Sequence, residues 1–472
     1  MAKFFPGFAT IDAYFYADLA RSIASENTAQ IPYVWQYLVS RDEITSNGPF
    51  FWQAGGAFIL AVFYAITGVY KALLLKFPLI ISLGAIPIIA LSWAKYLGIA
   101  QNFPYFIILF SLFSGTYLVN FLETDNYLFH ALFTLLFLRF FLEGIERNKK
   151  GLLGTSAILC AISYWIRPEA LIFVLLIPFY YLFNRKHLKE LTIFLSLFCC
   201  TVFTIFLFQG HWLKTGNFNE RLKMGFMQDY NQLFHWKKQL NFRNYIKQGW
   251  TGIIREKSNS AWENFKTFCT SIIPLYAIPF FLWGIYSFPL NSVQKFCLVF
   301  FPAFSFFIYS FIFSLPGING SFYHFFSFAP ALTSIFIIHG VQSLTKEKAI
   351  WVLSLLLILN AFFSISWHTD RLKNQENYSK WGTIVNKIAR QKHISKPVVM
   401  CMNPIFFYRD TNIKSVMLPL NLDQLAPVID HYKVKFILWP KALTSSTVFE
   451  GGIAEDSRNI LFLTRKKRLL KK

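Results

Sequence analysis

Three short stretches set ionisable side chains among apolar residues. The first is ATIDAYFYADLARSIASEN, Ala9 to Asn27. Drawn as a helix at about 100° per residue, it puts Asp12, Phe15, Tyr16, Leu19 and Ile23 on one stripe and Asp18 and Arg21 on the other side. A carboxylate on an apolar stripe is costly unless it meets water, a cation or a substrate. Capping the helix N-terminus is its other ordinary use. The second stretch is FLETDNYLF, residues 121–129. Glu123 and Asp125 stand there between two apolar runs. Two carboxylates so placed could hold a divalent cation, orient a sugar hydroxyl, or simply form a polar turn in which Asp125 caps the next helix. The third is SYWIRPEALIF, residues 163–173. Pro168 prevents a smooth helix, and an Arg at such a break is expensive unless paired. Arg167 either pairs with Glu169 across a turn or binds an anion, since guanidinium grips phosphate through paired donors.

The surrounding elements point to a membrane. The 472 residues are 55% hydrophobic, 19% aromatic and 15% charged, against about 45–50% apolar and about 25% charged for a soluble domain. Apolar runs near spanning length recur at about 73–94, 104–121, 126–143, 151–166, 169–183, 191–209, 271–290, 296–315, 322–342 and 349–367. Residues 50–70 are either an extra span or an interfacial helix. Lys and Arg crowd alternate loops, EGIERNKK (143–150), NRKHLKE (184–190) and TKEK (345–348), which predicts a cytoplasmic side. The turns ETDN (123–126) and PGINGS (316–321) carry neither and should face outward. This orientation puts the N-terminus outside with no span ahead of it, and three readings compete: residues 50–70 cross the membrane, which puts Asp12 inside; a short N-terminal segment translocates alone; or a first span lies upstream.

From about residue 393 the texture changes. PVVMCM (397–402), IKSVML (413–418), VKFILW (434–439) and NILFLTR (459–465) read as strands, with a helical pattern over 422–432; strand–helix–strand alternation predicts a small α/β lobe. The expected organisation is a mainly α, polytopic transmembrane helical bundle over 1–367 with outer loops at about 1–50 and 211–270, a linker over 368–392, and an extracytoplasmic α/β domain over 393–472. The basic end TRKKRLLKK reads as solvated.

Net charge is +22, concentrated at about 211–270 and 370–472, which suits anionic lipid head groups or phosphorylated substrates. No nucleic-acid-binding signature appears. The six cysteines show no CxxC or Cys/His spacing for zinc. A Walker P-loop and the GxSxG, HExxH and GxGxxG motifs are absent from the sequence, which argues against ATP-driven transport. No obvious soluble domain exists for a nucleotide-sugar donor, whereas a lipid-borne substrate could enter from the bilayer.

The motifs together resemble a known family. DAYFYADLARSIA resembles the first outer loop of the polyprenyl-phosphate-sugar-dependent GT-C glycosyltransferases, a group that includes the protein O-mannosyltransferases and the lipid A aminoarabinose transferases. SNGPFFWQAGGAFILAVFYAITG is similar to their following stretch. FLETDNYLFHALFTLLFL resembles their second outer loop, and AISYWIRPEALIFVLLIPF the Thr-Arg-Pro-Glu segment of many bacterial members. The tail looks like the outer α/β domain of family-39-like bacterial members. Three departures stand out. Members normally carry a span before the Asp loop and none is present here, so the resemblance favours a first span upstream. Asn47-Gly48-Pro49 replaces the Lys-Pro-Pro of some aminoarabinose transferases, and SFYHFFSFAP offers Tyr323 and His324 where many relatives carry an Arg.

The resemblance implies a bacterial inner-membrane enzyme whose donor is a sugar on polyprenyl phosphate and whose acceptor is a glycan, lipid or protein. It implies that Asp12 is the general base and that Arg167, with His324, binds the lipid phosphate. Glu123, Asp125, Tyr16 and Asn47 would hold sugar, acceptor or a divalent cation. No ligand cluster in the sequence settles metal use. A flippase of lipid-linked sugars and a non-catalytic membrane subunit are the competing readings.

Overall fold

The computed structural model describes residues 10–37, 43–47, 54–69, 71–99, 102–183, 188–210, 226–227, 230–236, 240–313, 316–317, 320–373, 377–441, 454–455 and 459–464. Gly48 and Pro49, residues 184–187 of one basic loop, residues 211–225 of the polar stretch, and the basic end beyond 464 lie outside them. The chain forms two compact units. One comprises Met1–Ala9, Gln53–Trp212 and Ile246–Lys373; the other comprises Thr10–Trp52, Leu213–Tyr245 and Asn374–Lys472.

The first unit is helical. Its elements begin with α2 (Gly55–Thr67), α3 (Lys76–Leu97), α4 (Pro104–Leu112), α5 (Tyr117–Phe121), α6 (Tyr127–Glu146), α7 (Lys150–Ile166), α8 (Leu171–Phe183) and α9 (Leu188–Phe208). Among the described residues, five helical stretches are long and apolar enough to cross a membrane, or six if one bent pair counts as a span. The described parts of the ten apolar runs read from the sequence are largely helical. Two carry breaks, and a third break falls between two runs. Gly115, at φ +63°, separates α4 from α5. Pro168 separates α7 from α8. The run at 271–290 is entered by a helix from Gly249 that bends by 78° at Ile273–Pro274. Residues 50–70 give a short apolar helix, α2.

Packing is close where glycine permits it. Gly284 and Gly340 lie on helices Ile278–Ser287 and Ala329–Thr345. A Cβ on Gly284 would stand 1.9 Å from the Phe336 carbonyl oxygen, and one on Gly340 1.9 Å from that of Phe280. Polar side chains also join elements: Trp93 Nε1 of α3 donates to the Leu135 carbonyl of α6 at 3.1 Å.

The second unit holds α1 (Ile11–Glu26) and two sheets. The strands are β1 (Gln30–Ile31), β2 (Tyr33–Val34), β3 (Ser46–Asn47), β4 (Val399–Cys401), β5 (Ser415–Met417), β6 (Phe436–Pro440), β7 (Ala454–Glu455) and β8 (Asn459–Leu463). β1 pairs antiparallel with β3. The larger sheet has the order β2-β5-β4-β6-β8-β7, parallel from β2 to β6 and antiparallel thereafter. The four strands and the helix read in the tail are all present, with the helix at Leu425–Tyr432. The sequence reading omitted β2, which extends the sheet from the N-terminal segment, and helices Ser379–Gln391 and Pro404–Thr411. It also left the middle of the chain out of this lobe. Trp236 packs edge-on to Tyr37 at 5.4 Å, and its backbone N–H donates to Gln424 Oε1 at 2.8 Å.

Candidate functional site

The first unit buries a polar cluster at two of its helix breaks. Leu122 ends α5, and Glu123, Thr124, Asp125 and Asn126 follow before α6 begins; all four are 2% exposed or less. A buried turn must satisfy its own polar groups. Asp125 Oδ1 accepts from the Asn126 backbone N–H at 2.6 Å, and Asn126 Nδ2 donates to the Ile166 carbonyl at 3.0 Å. That bond ties the acidic turn to the end of α7. Gly56 of α2 makes room for it, since a Cβ there would lie 1.8 Å from Asn126 Oδ1.

Arg167 follows Ile166 in extended conformation, φ −146° and ψ 123°, as the residue before a proline prefers. Its Nη2 donates to Glu169 Oε1 at 2.7 Å. Its Nη1 donates to His324 Nδ1 at 3.1 Å. His324 lies in the short helix Ser321–Phe325 and places Nε2 2.8 Å from the Tyr127 hydroxyl, with the two rings stacked at 4.1 Å. Asp125 Oδ2 stands 3.9 Å from His324 Nδ1. Arg167 and Tyr127 thus flank the two ring nitrogens of His324, whose donor and acceptor roles depend on the tautomer.

A second layer positions that helix. Tyr323 stacks on Tyr117 at 4.3 Å, and the Tyr117 hydroxyl donates to the Tyr323 carbonyl at 2.7 Å. The Tyr323 hydroxyl accepts from Asn120 Nδ2 at 2.9 Å and donates to Thr116 Oγ1 at 2.6 Å. Tyr323 is therefore bound into α5 while its neighbour His324 meets Arg167. Below them, Ser163 Oγ lies 3.1 Å from His130 Nδ1 and 3.0 Å from Thr134 Oγ1. Lys76, only 4% exposed at the start of α3, is within electrostatic reach of Glu123.

The structure thus brings Asp125, Arg167 and His324 into one cluster, with Glu123 in the same buried turn. The ion pair read for Arg167 and Glu169 exists, and the guanidinium also lies against His324. Asp12, Tyr16 and Asn47 belong to the second unit. There Thr10 is the N-cap of α1, its side chain accepting from the Ala13 N–H at 3.2 Å. Asp12 sits in the first turn beyond it, so the capping role goes to Thr10. Phe15, Tyr16, Leu19 and Ile23 are buried, as the stripe requires. Asn47 pairs with Gln30 across β1 and β3. On the opposite side of α1, Asp18 accepts from the Tyr33 hydroxyl at 3.1 Å and faces Arg21 at 3.8 Å. Burial raises its pKa to about 6 against the opposing pull of both partners.

Sequence reasoning missed Lys76, Tyr117 and Tyr127. Lys76 carried a signal, a cation inside the apolar run ALLLKFPLII. The tyrosines carried none beyond lying near Glu123.

No protein-family model and no curated protein sequence matches the chain. Solved structures do match. ArnT from Cupriavidus metallidurans bound to undecaprenyl phosphate superposes with a TM-score of 0.57 at 12% identity, over 99% of this chain and 96% of that one. The Archaeoglobus fulgidus oligosaccharyltransferase in complex with Zn and sulfate gives 0.57 at 9% identity, over 91% of this chain. The chain has the GT-C fold. It spans 63% of the oligosaccharyltransferase's own length. A further structure of that archaeal enzyme, with an inhibitory peptide and a dolichol-phosphate, scores 0.51. The cluster combines a permanent cation, an imidazole and buried carboxylates, a set suited to holding an anion beside a polar ligand.

Proposed function

We propose that the protein is an integral-membrane glycosyltransferase that moves a sugar from a polyprenyl-phosphate carrier to an extracytoplasmic acceptor, with inversion. The observation that carries this reading is the pairing of Arg167 with His324 beside the Asp125 turn, in a chain of GT-C fold. The ArnT neighbour bound undecaprenyl phosphate, which fits a donor of the same class.

In this mechanism Asp12 takes the acceptor hydroxyl proton as the oxygen attacks the anomeric carbon. The new carbon–oxygen bond forms as the bond to the carrier phosphate breaks, and its electron pair leaves on the phosphate. Arg167 stabilises that developing charge, and His324 presents its ring beside it. Glu123 and Asp125 hold sugar hydroxyls or a divalent cation. Tyr16 and Asn47 contribute to the acceptor side. The protein resides in the bacterial inner membrane with its α/β domain outside.

The test compares glycans of a deletion strain with its parent by mass spectrometry, covering lipid A, cell-wall polymers, glycoproteins and lipid-linked sugars. One missing sugar, restored by the native gene and not by Asp12→Asn, supports the transferase. Unchanged glycans, or lipid-linked sugars merely retained on the inner face, overturn it in favour of an accessory subunit or a flippase.

A further inference from the structure

The helix Gly249–Thr267 of the first unit has three faces. At about 100° per residue, Ser260, Asn264 and Thr267 form a packed sector, and all three are buried. Asn264 shows why: its Nδ2 donates to the Tyr309 carbonyl at 3.1 Å, and its Oδ1 accepts from the Gly317 N–H at 2.9 Å. A second sector is exposed and mainly apolar, with Thr251 and Ser258 as its polar members. It carries Trp250 at 76%, Ile254 at 62%, Trp262 at 59% and Phe265 at 50% exposure. The third is polar, with exposed Arg255, Asn259, Glu263 and Lys266. Arg255, next to Trp262, and Lys257, next to Trp250, border the apolar sector, and Lys266 pairs with Glu263 on the polar face.

The orientation of this helix follows from its continuation. Through a π turn at Phe268–Ile272 it reaches the break at Ile273–Pro274, and the apolar helix beyond runs at 78° to it. If the apolar Leu275–Ser287 segment lies along the bilayer normal, the helix before it lies close to the membrane plane. Its charged residues, Arg255, Glu256, Lys257, Glu263 and Lys266, exclude it from the hydrocarbon core. An amphipathic helix with aromatic residues on one side and cations at their border suits the headgroup–acyl boundary. We propose that the Trp250–Ile254–Trp262–Phe265 face is a bilayer-docking surface, seated in the outer interfacial zone and holding the Gly317 segment through Asn264.

The experiment uses the full chain in nanodiscs of phosphatidylethanolamine and phosphatidylglycerol. A benzophenone amino acid replaces Ile254, Trp262 or Asn259 singly. Phe362, 73% exposed on the apolar helix Ala349–Lys373, serves as the lipid-facing control. After irradiation, mass spectrometry counts lipid adducts. The expected result is adduct at 254 and 262 comparable with that at 362 and several-fold above that at 259. Adduct at 254 and 262 no higher than at 259 overturns the proposal, as does capture of protein at those positions in cell membranes, which would make the face a protein-binding surface. Should the probe at 262 prevent folding, 254 decides alone. The readout needs no turnover, so it stands or falls independently of the transferase reading.

Discussion

Replacing Arg167 with Gln separates the ion pair seen with Glu169 from the phosphate role proposed for the same guanidinium. The Arg167 and Glu169 side chains retain 8% and 11% of their exposure and meet at 2.7 Å. Removing the cation strands a carboxylate in a water-poor site. Breaking one side of a buried pair costs about 3–5 kcal/mol, and the residual exposure of Glu169 places this case at the lower end. Glu169→Gln in the same chain removes the stranded charge, so the double variant recovers most of the lost thermal stability. Transfer behaves differently if Arg167 stabilises the departing phosphate. Loss of one such preorganised donor costs roughly 10²–10³ in turnover, or about 2.7–4 kcal/mol, and the second substitution restores none of it. The assay complements a deletion strain with each variant at matched membrane abundance and quantifies the missing glycan by mass spectrometry. Melting of the detergent-purified protein is followed in parallel. A double variant that regains both melting temperature and product would refute the phosphate role and leave Arg167 as a counter-ion to Glu169.

Three further outcomes are expected. Asp12→Asn leaves the protein in the membrane and lowers product by roughly 10²–10⁴-fold, the worth of a general base; undiminished product ends that assignment. Gly340→Ala must push its helix away from a neighbour whose facing atoms are backbone, at a cost of about 1–3 kcal/mol for overpacking; its melting temperature falls, while Gly84→Ala, with open space around it, leaves the melting temperature unchanged or higher. Asp18, faced by Arg21, Tyr33 and Tyr408, has a folded pKa of about 6 against a usual 3.8. The folded form therefore binds the extra proton between those values, stability falls as pH rises through that window, and the full cost persists above it. With 19% of the side chain exposed, that cost is about 1–2 kcal/mol. Asp18→Asn should raise the melting temperature at neutral pH and flatten its pH dependence; an unchanged profile would show that the carboxylate is better solvated than its surroundings imply.

What the sequence revealed, and what it hid, follows from the range of each interaction. Spans and tail strands were legible because composition and period are local properties. The helix from Gly249 was not: five charged residues dilute Trp250, Ile254, Trp262 and Phe265, so the stretch averages as polar although its period is helical. β2 was too short to signal itself, and its pairing with β5 joins Tyr33 to Ser415 across most of the chain. The cluster shows the same limit. Arg167, Asp125 and His324 each attracted attention alone, but the bond from Arg167 to His324 spans 157 positions, and nothing local announces it. That bond places the imidazole, read from the sequence only as a partner of Arg167 in phosphate binding, directly against the guanidinium. Asp12 shows the converse. Capping was a sufficient local account of an acid in a first turn, and the Thr10 side chain takes that role instead. An acid in the first turn still complements the helix dipole, so local geometry leaves the role of Asp12 to the complementation assay.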